Sequence, residues 1–516
     1  MKKLLSLFTS VCLISLFACQ PTQTSQQSAS LGIFSVDAPT AAQPPQDELV
    51  GVYYMPSWDT DPDPNVDKDS FWSCLQDPAN CAHLTNTATW GPKGRVYNKR
   101  YPYEGPYLDR KPVKELKGFY KRDDPEVLKK QLQLMKKYGI DFFAYDWFYG
   151  RNYYYHLYFG PQSKIYYPKG WKIDTQRDGR VAVPGLEEWN EQLKVLLEVN
   201  SQLPEKEHMK WAINWCDDSH ERWMAWLKIG SPDEMARKAN YEGEKPDKAL
   251  YLQVHEKITR QWTDSYFNRK DYLKDKDGRP IVYFYFPQDS ESRAAYYGLK
   301  LNDLLDLSQK IAKEQGFPGI KFIAVMAGPM LERERMYGLP TVWKANNPAR
   351  PWEGGEYQKR LLLQEYVPRL KSMGFEGMTT YIYHNFMEKD NRSFADMRET
   401  YRSHWNMWGE KFKSDPQFEY QVPVAMGWDM RPAGGTWPQQ TGFPSEPYKD
   451  LVHSDKKSFS AMLRDAMESS RKYRPNNGNT VMVCCWNEYL EGNYIEPTEG
   501  HGYDYLEAIQ EVFGAD

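Results

Sequence analysis

The sequence lacks the features that mark nucleotide-binding, nucleic-acid-binding or zinc-binding proteins. Neither a GxGxxG nor a GxxxxGK segment occurs in its 516 residues, which removes the usual phosphate-binding loops. The formal net charge of -4 offers no electrostatic basis for binding nucleic acid or an anionic membrane surface. Cys216, Cys484 and Cys485 have no histidine or second cysteine at zinc-ligand spacing, and the sequence predicts no metal and no cofactor.

An acidic segment between Asp59 and Asp69 also falls short of a calcium site. Its acids alternate as in a calcium-binding loop, but Pro64 stands where such a loop needs a glycine to bend. The segment is therefore predicted to be a solvated acidic loop.

Aromatic residues, in contrast, are abundant. They make up 15% of the chain, with 18 tryptophans and 37 tyrosines. Flat aromatic faces with polar rims suit carbohydrate, which predicts an oligosaccharide or polysaccharide partner. A large tyrosine-rich core is the alternative explanation.

The N-terminus has the pattern of an exported bacterial lipoprotein. Lys2 and Lys3 precede an apolar run, which ends in Leu16-Phe-Ala-Cys19, a tetrad that resembles a lipoprotein cleavage box. Cys19 is predicted to carry the lipid, and this anchor is the one membrane attachment predicted. The protein is expected in the periplasm, at the outer membrane or on the cell surface.

Composition divides the chain into three parts. Residues 1–19 are the signal peptide and lipobox, and residues 20–47 form a disordered tether rich in Gln, Ser, Thr, Pro and Ala. Residues 48–516 are the predicted catalytic domain. Within it, Cys74 and Cys81 flank a polar turn and are predicted to form a disulfide.

The three remaining cysteines, Cys216, Cys484 and Cys485, lie at strand positions. They are predicted to be buried free thiols.

The catalytic domain alternates strands and helices. The clearest helix lies between Asp123 and Gly139, with an aspartate cap, a proline in its first turn and a glycine stop. Repeated eight times, this alternation predicts an α/β fold, the (β/α)8 TIM barrel with long βα-loop insertions. An open doubly wound sheet is the alternative. The predicted strands are Leu49–Trp58, Ile140–Trp147, Lys210–Trp215, Gly278–Tyr285, Ile320–Met326, Gly377–Tyr383, Tyr420–Asp429 and Thr480–Cys485.

Polar and aromatic residues recur where these strands end. In a barrel, the carboxyl ends of all strands share one mouth, so these side chains are expected to meet there. Sugar stacking is predicted for the tryptophans of the set, with core packing as the alternative. The residues are Tyr54, Trp58, Asp146, Trp147, Asn214, Trp215, Tyr383, His384, Asn385, Trp428, Asp429, Glu488 and Glu491.

Glu488 and Glu491 are the candidate catalytic residues. They follow the last strand at a spacing of three, and a turn permitted by Gly492 would let them converge. Two converging carboxyls can supply the proton donor and the base or nucleophile that glycosidic bond cleavage needs. Acidic residues at an ordinary helix N-terminus are the alternative.

Several segments resemble WbsX-like proteins and their relatives in glycoside hydrolase family 99. The resemblance covers nearly all of the chain after the tether, and its most specific segment is the last one. The matching segments are Gly51-Val-Tyr-Tyr-Met-Pro, Asp124-Pro-Glu-Val-Leu with Gly139-Ile-Asp-Phe142 and Asp146-Trp147, Gly278-Arg-Pro, Gly427-Trp-Asp-Met-Arg431, and Trp486-Asn-Glu-Tyr-Leu-Glu-Gly with Ile495-Glu-Pro497.

This resemblance implies a retaining, endo-acting enzyme for α-linked, mannan-like glycans. By position, Glu488 would deprotonate the sugar 2-hydroxyl to form an anhydro-sugar, and Glu491 would act as acid and then as base. Where family 99 has Trp-His between its glutamates, this chain has Tyr489-Leu490. The matched segments add four substrate-binding candidates: Arg431, Trp486, Asn487 and Glu496.

Two other functions remain open. WbsX-like proteins are often labelled glycosyltransferases, but a nucleotide-sugar donor is cytoplasmic, and the leader predicts export. A glycan-binding surface lipoprotein without catalysis would need aromatic residues but no carboxyl pair.

Overall fold

The computed structural model describes most of the predicted catalytic domain. All described residues fall in one compact unit, Pro45–Asp516. They are residues 48–56, 71–76, 107–147, 191–216, 248–287, 290–291, 294, 297–326, 367–382, 393–413, 415, 417–428, 452–473 and 479–514.

A parallel sheet forms the centre of the molecule. Its strands are β1 (Glu48–Tyr54), β2 (Phe142–Trp147), β3 (Lys210–Cys216), β4 (Ile281–Tyr285), β5 (Lys321–Met326), β6 (Gly377–Thr380), β7 (Glu419–Tyr420), β8 (Val422–Ala425) and β11 (Asn479–Cys484), whereas β9 (Gly427–Trp428) and β10 (Val452–His453) pair separately. The hydrogen-bonded order of the central sheet is β7-β6-β5-β4-β3-β2-β1-β11-β8.

The sheet closes into a barrel because β7 and β8 are two parts of one strand, separated by Gln421. The first part pairs with β6, whereas the second pairs with β11. Eight parallel strands therefore make a continuous ring, which confirms the predicted (β/α)8 fold.

Helices surround the ring and follow the predicted alternation. The second helix shows why they form where they do: the Asp124 side chain accepts hydrogen bonds from the first-turn amides of Glu126 and Val127. None of the helices in the described ranges is both long and apolar enough to cross a membrane. They are α1 (Phe71–Gln76), α2 (Pro125–Lys137), α3 (Glu191–Gln202), α4 (Lys248–Trp262), α5 (Leu301–Glu314), α6 (Val367–Met373), α7 (Phe394–Lys413), α8 (Lys456–Tyr473) and α9 (Asp504–Phe513).

Side chains alternate between the inside and the outside of the barrel along each strand. Phe142 stacks on Tyr283 inside, with ring centroids 6.1 Å apart. A Cβ at Gly51 would lie 2.3 Å from the Phe142 ring, so the interior has no room for a side chain there. Counting in steps of two from Phe142 places Asp146 on the inside.

The amino ends of the strands carry compensated charges. Glu48 at the start of β1 pairs with Arg471, Nε to Oε1 at 2.7 Å. Lys321 at the start of β5 pairs with Glu419 at the start of β7, Nζ to Oε2 at 2.5 Å. These pairs lie at the end of the barrel that faces away from the predicted mouth.

The cysteines follow the predictions in part. Cys216 is a buried thiol that is not part of a disulfide, as predicted. The prediction of free thiols at Cys484 and Cys485 is wrong, because their adjacent sulfur atoms are bonded to each other. Cys81 and the side chain of Cys74 lie outside the described residues, as do Cys19 and residues 20–47.

Candidate active site

The two candidate catalytic glutamates lie at a single turn beyond β11: Glu488 precedes the turn, and Glu491 is its last residue. A short antiparallel pair, β12 (Asn487–Glu488) and β13 (Asn493–Tyr494), brings the chain back on itself. Between them, Tyr489–Glu491 forms one 3-10 turn, which we call the catalytic turn. It ends at Gly492, whose φ of 62° is the left-handed conformation that glycine adopts without strain. The predicted turn at Gly492 is therefore present.

Asp146 reaches the same place from inside β2, so three carboxyls share one site, in which Asp146 and Glu488 are buried and Glu491 is partly buried. Burial raises the pKa of Glu491 to about 8, and nearby Asp146 raises it as well. Burial, then Glu491, then Asp146 hold the pKa of Glu488 well above its ordinary value. Burial also raises the pKa of Asp146 to about 7, opposed by a hydrogen bond from Asn214. The site therefore retains protons near neutral pH.

Asn214 lies beside Asp146 on the neighbouring strand. Its Nδ2 donates to Asp146 Oδ1 at 2.6 Å. Within the described residues, the buried Asn214 Oδ1 and Glu491 Oε2 have no hydrogen-bond partner. Buried polar atoms without partners are costly in a folded protein, and they are expected where a ligand completes the hydrogen bonding.

Tyr381, just beyond β6, is a site residue that the sequence analysis missed. Burial raises the pKa of its phenol, and Glu491, Glu488 and Asp146 raise it further in that order. Because the disulfide sulfur carries no proton, the Tyr381 hydroxyl donates to Cys485 Sγ at 3.1 Å. The sequence predicts a strand that extends to Tyr383, whereas β6 ends at Thr380.

The substrate-binding roles predicted for Trp147 and Trp215 are wrong. Each follows an inward residue, Asp146 or Asn214, and so points to the outer face of the sheet. Both indoles pack edge-on against Trp262 of α4, with centroids 5.6 Å and 4.9 Å away. Their exposed fraction is 0%, so neither has a face open to a sugar.

Tyr54 has the same outward orientation, and its predicted contact with substrate is also wrong. Its ring stacks on Tyr145 at 5.6 Å. Its hydroxyl donates to Gln131 of α2 at 2.8 Å and accepts from Gln192 of α3 at 3.3 Å.

Two other predicted binding residues use their polar atoms inside the protein. The Asn487 amide donates to Met55 O at 2.9 Å and accepts from Met55 N at 2.8 Å, so it joins the end of β1 to β12. The carboxyl of Glu496 is buried among hydrogen-bond donors. Both side chains therefore direct their hydrogen bonds to other parts of the protein.

Of the remaining predicted binding residues, the structure describes only two, both tryptophans. Trp486 is fully buried, and Trp428 lies in β9 (Gly427–Trp428), almost buried, beside β10 (Val452–His453). The predicted site residues that lie outside the described part of the chain are Trp58, Tyr383, His384, Asn385, Asp429 and Arg431.

Comparison with known families adds a classification to this geometry. The family described as "Glycosyltransferase WbsX" matches residues 195–509, more than half of the chain and a segment that includes both glutamates. The chain belongs to the WbsX family. No curated protein matches the sequence of this WbsX-family chain.

Solved structures with similar architecture include glycoside hydrolases. One is a "Glycoside hydrolase-like protein", with 11% identity, a TM-score of 0.48, and coverage of 92% of this chain and 95% of that one. Another is a GH99 endo-alpha-mannosidase from Bacteroides thetaiotaomicron, with 13% identity, a TM-score of 0.43 and coverage of 90% and 95%. A third is GH5_18 from Streptomyces cattleya, with 8% identity, a TM-score of 0.40 and coverage of 75% and 74%.

Proposed function

We propose that this protein is a retaining, endo-acting glycoside hydrolase of α-linked, mannan-like or related glycans. The observation that carries the proposal is the buried cluster of Glu488, Glu491 and Asp146 at the carboxyl ends of the strands. A pair that holds a proton near neutral pH can supply an acid, and glycosidic cleavage needs an acid and a base together. The α-linkage is supported by the glutamate spacing shared with family 99.

In the first step, Glu488 removes the proton of the sugar 2-hydroxyl. The freed O2 attacks C1 and forms an anhydro-sugar, while the bond from C1 to the leaving oxygen breaks. Glu491 donates its proton to that oxygen, so the departing glycan leaves neutral. The raised pKa of Glu491 fits this role, because an acid must still be protonated at working pH. The pKa of Glu488 is raised as well, so the base role requires the molecules in which Glu488 is ionised and Glu491 holds the proton.

In the second step, the two residues reverse their roles. Ionised Glu491 takes a proton from water, whose oxygen attacks C1 and opens the anhydro ring. Glu488 returns its proton to O2. Both carboxyls then have their starting protonation, and the configuration at C1 is retained.

A nucleotide-sugar transferase is the alternative that the family description suggests. Its donor carries an anionic diphosphate, which must approach the reacting sugar. The charged groups that influence Glu488 and Glu491 in the described residues are carboxyls, and like charges would repel the donor. The site electrostatics therefore favour a neutral glycan.

A glycan-binding protein without catalysis is the other alternative. Sugar binding alone does not require carboxyls that repel one another in a buried site. Such an arrangement costs stability, which is expected where the groups take part in chemistry.

The test is to incubate the purified protein with a panel of α-linked polysaccharides and to separate the products by chromatography. Internal cleavage gives oligosaccharides of several lengths, and Glu488→Gln should produce none. A parallel reaction with nucleotide-sugars should release no nucleotide. Nucleotide release without glycan cleavage would replace the hydrolase with a transferase, and glycan binding without either product would replace it with a binding protein.

We also propose that the enzyme acts outside the cytoplasm, anchored by lipid at Cys19. The support is the leader and the Leu16-Phe-Ala-Cys19 box. Wild type should fractionate with membranes, and Cys19→Ala should not. Wild type in the soluble fraction would refute the anchor.

A further inference from the structure

We propose that Glu496 is a positioning residue, a buried carboxylate that fixes the catalytic turn through the hydroxyl of Tyr489. The inference rests on the proposed hydrolase function, since it assigns the turn a catalytic purpose. Glu496 has an exposed fraction of 1% and lies five residues beyond Glu491. Tyr489 is fully buried and lies between the two glutamates whose placement matters.

Three donors from separate segments converge on the Glu496 carboxyl. Gln131 Nε2 on α2 donates to Oε1 at 2.6 Å. The Tyr120 hydroxyl donates to Oε2 at 2.9 Å, and the Tyr489 hydroxyl donates to the same oxygen. An ionised carboxylate can accept from all three, whereas a protonated one would have to donate from one oxygen. Burial raises the pKa of Glu496 to about 7, and the hydrogen bonds from these three donors oppose that rise and favour the ionised form.

The donors are themselves oriented by a chain of hydrogen bonds. Tyr145 donates to Gln192 Oε1 at 3.2 Å, and Gln192 Nε2 donates to the Tyr54 hydroxyl. Tyr54 donates to Gln131 Oε1 at 2.8 Å, which directs the amide nitrogen of Gln131 toward Glu496. Each hydrogen bond in this chain is donated toward Glu496. The elements α2, α3, β1 and β2 therefore together fix the position of the Glu496 carboxyl.

The other parts of Tyr489 are also held. Arg110 Nη1, itself buried, donates to Tyr489 O at 2.5 Å. The Tyr489 ring stacks on Tyr494 with centroids 4.9 Å apart and packs against Trp72 at 5.2 Å. A single 3-10 turn has little stability of its own. These contacts therefore decide where the carboxyls of Glu488 and Glu491 lie.

Catalysis depends steeply on such placement. Displacing a reacting group by about 1 Å can lower the rate about 100-fold even when the change lies outside the chemistry. Substrate binding draws on other contacts around the mouth, so loss of the Tyr489–Glu496 bond should lower kcat more than it raises KM. A purely structural role would instead lower the amount of folded protein and leave kcat per folded molecule unchanged.

The test uses Tyr489→Phe and Glu496→Gln, with Tyr283→Phe as the matched control. Tyr283 is a buried tyrosine whose hydroxyl donates to the Gln421 side chain at 2.9 Å, away from the catalytic turn. Amide hydrogen exchange over residues 486–494 should be about 10-fold faster in the first two variants and unchanged in the control. All measurements are made at a temperature where circular dichroism shows folded protein.

On any glycan that wild type cleaves, Tyr489→Phe and Glu496→Gln should each lower kcat about 10-fold or more, with KM within about 3-fold. The double variant should lose no more than the larger single loss, because both changes remove one interaction. Tyr283→Phe should keep wild-type kcat.

The outcomes separate the two proposals. Unchanged exchange in Tyr489→Phe overturns the positioning role, whether or not a substrate is known. Faster exchange in Tyr283→Phe overturns it as well, since the effect would then be general. Faster exchange in the two test variants alone, with a wild type that cleaves no glycan, supports the positioning role and removes the hydrolase proposal.

Discussion

The two faces of strands β2 and β3 contrast where the strands end. On the inner face, Asp146 and Asn214 join Glu488 and Glu491 in a site with repelling carboxyls and unpartnered oxygens among the described residues. On the outer face, one residue further along each strand, tryptophans pack against α4. Neighbouring residues in sequence therefore differ in role: those on the outer face stabilise the fold, whereas those on the inner face form the costly site to which we assign the proposed chemistry.

The largest expected effect on stability lies on the outer face. Trp215→Ala removes an indole that packs against Trp262 and against Phe284 at 4.6 Å, and it should lower the free energy of unfolding by about 3–5 kcal/mol. Denaturation in guanidinium measures the loss, with Trp215→Phe as the milder control. A loss below about 1 kcal/mol, with weaker substrate affinity, would restore the predicted sugar-stacking role.

On the inner face, Asn214→Ala should have a small effect on stability and a larger one on activity. It removes the hydrogen bond to Asp146, which costs about 1–2 kcal/mol of stability. It also removes the open Oδ1, and loss of one hydrogen bond to substrate should lower kcat/KM about 10-fold. Steady-state kinetics on folded protein measure this. Unchanged kcat/KM would separate Asn214 from the site and weaken the contrast between the faces.

The smallest expected effect is a change in Tm that depends on pH. Unlike an ordinary core mutation, the substitution should raise Tm. The folded-state pKa of Glu491, about 8, exceeds that of an unfolded glutamate, about 4.3. Folded protein therefore binds this proton more tightly, and the stability it contributes is full below pH 4.3 and is lost as pH rises through 8. Glu491→Gln removes the charge, so it should raise Tm by about 2 °C at pH 8 and by less at pH 5.

Glu48→Gln provides the control for this prediction. Glu48 is ion-paired with Arg471 at the other end of the barrel, so its neutralisation should lower Tm at both pH values. A lower Tm for Glu491→Gln at pH 8 would mean that the carboxyl is compensated in the native protein. The carboxyls of the inner face would then not lower the stability of the folded protein.

The sequence was enough to predict the barrel and the turn of glutamates. The eight strands carry apolar runs with clear turn signals, and Gly492 marks the bend between Glu491 and β13. Each depends on residues close in sequence, which local patterns reveal. The same patterns could have excluded Trp147 and Trp215, because Asp146 and Asn214 precede them and adjacent strand residues cannot share a face.

Other parts of the site depend on contacts that no local pattern reveals. Glu496 was predicted to bind substrate, yet its partner Gln131 lies 365 positions away. Asn487 mimics a backbone pairing to Met55, 432 positions away. A polar residue in a recognisable motif therefore shows that a site is near, but its partners decide whether it faces substrate or supports residues that do.

The measurement closest to the central claim compares two variants on two substrates. Glu488→Gln and Glu491→Gln should each lower kcat on the natural glycan by about 100-fold or more. An activated aryl glycoside needs little acid assistance, so Glu491→Gln should lose much less on it, whereas Glu488→Gln should be impaired on both. Wild-type rates for both variants on the natural glycan would contradict the assignment of this pair and the mechanism built on it.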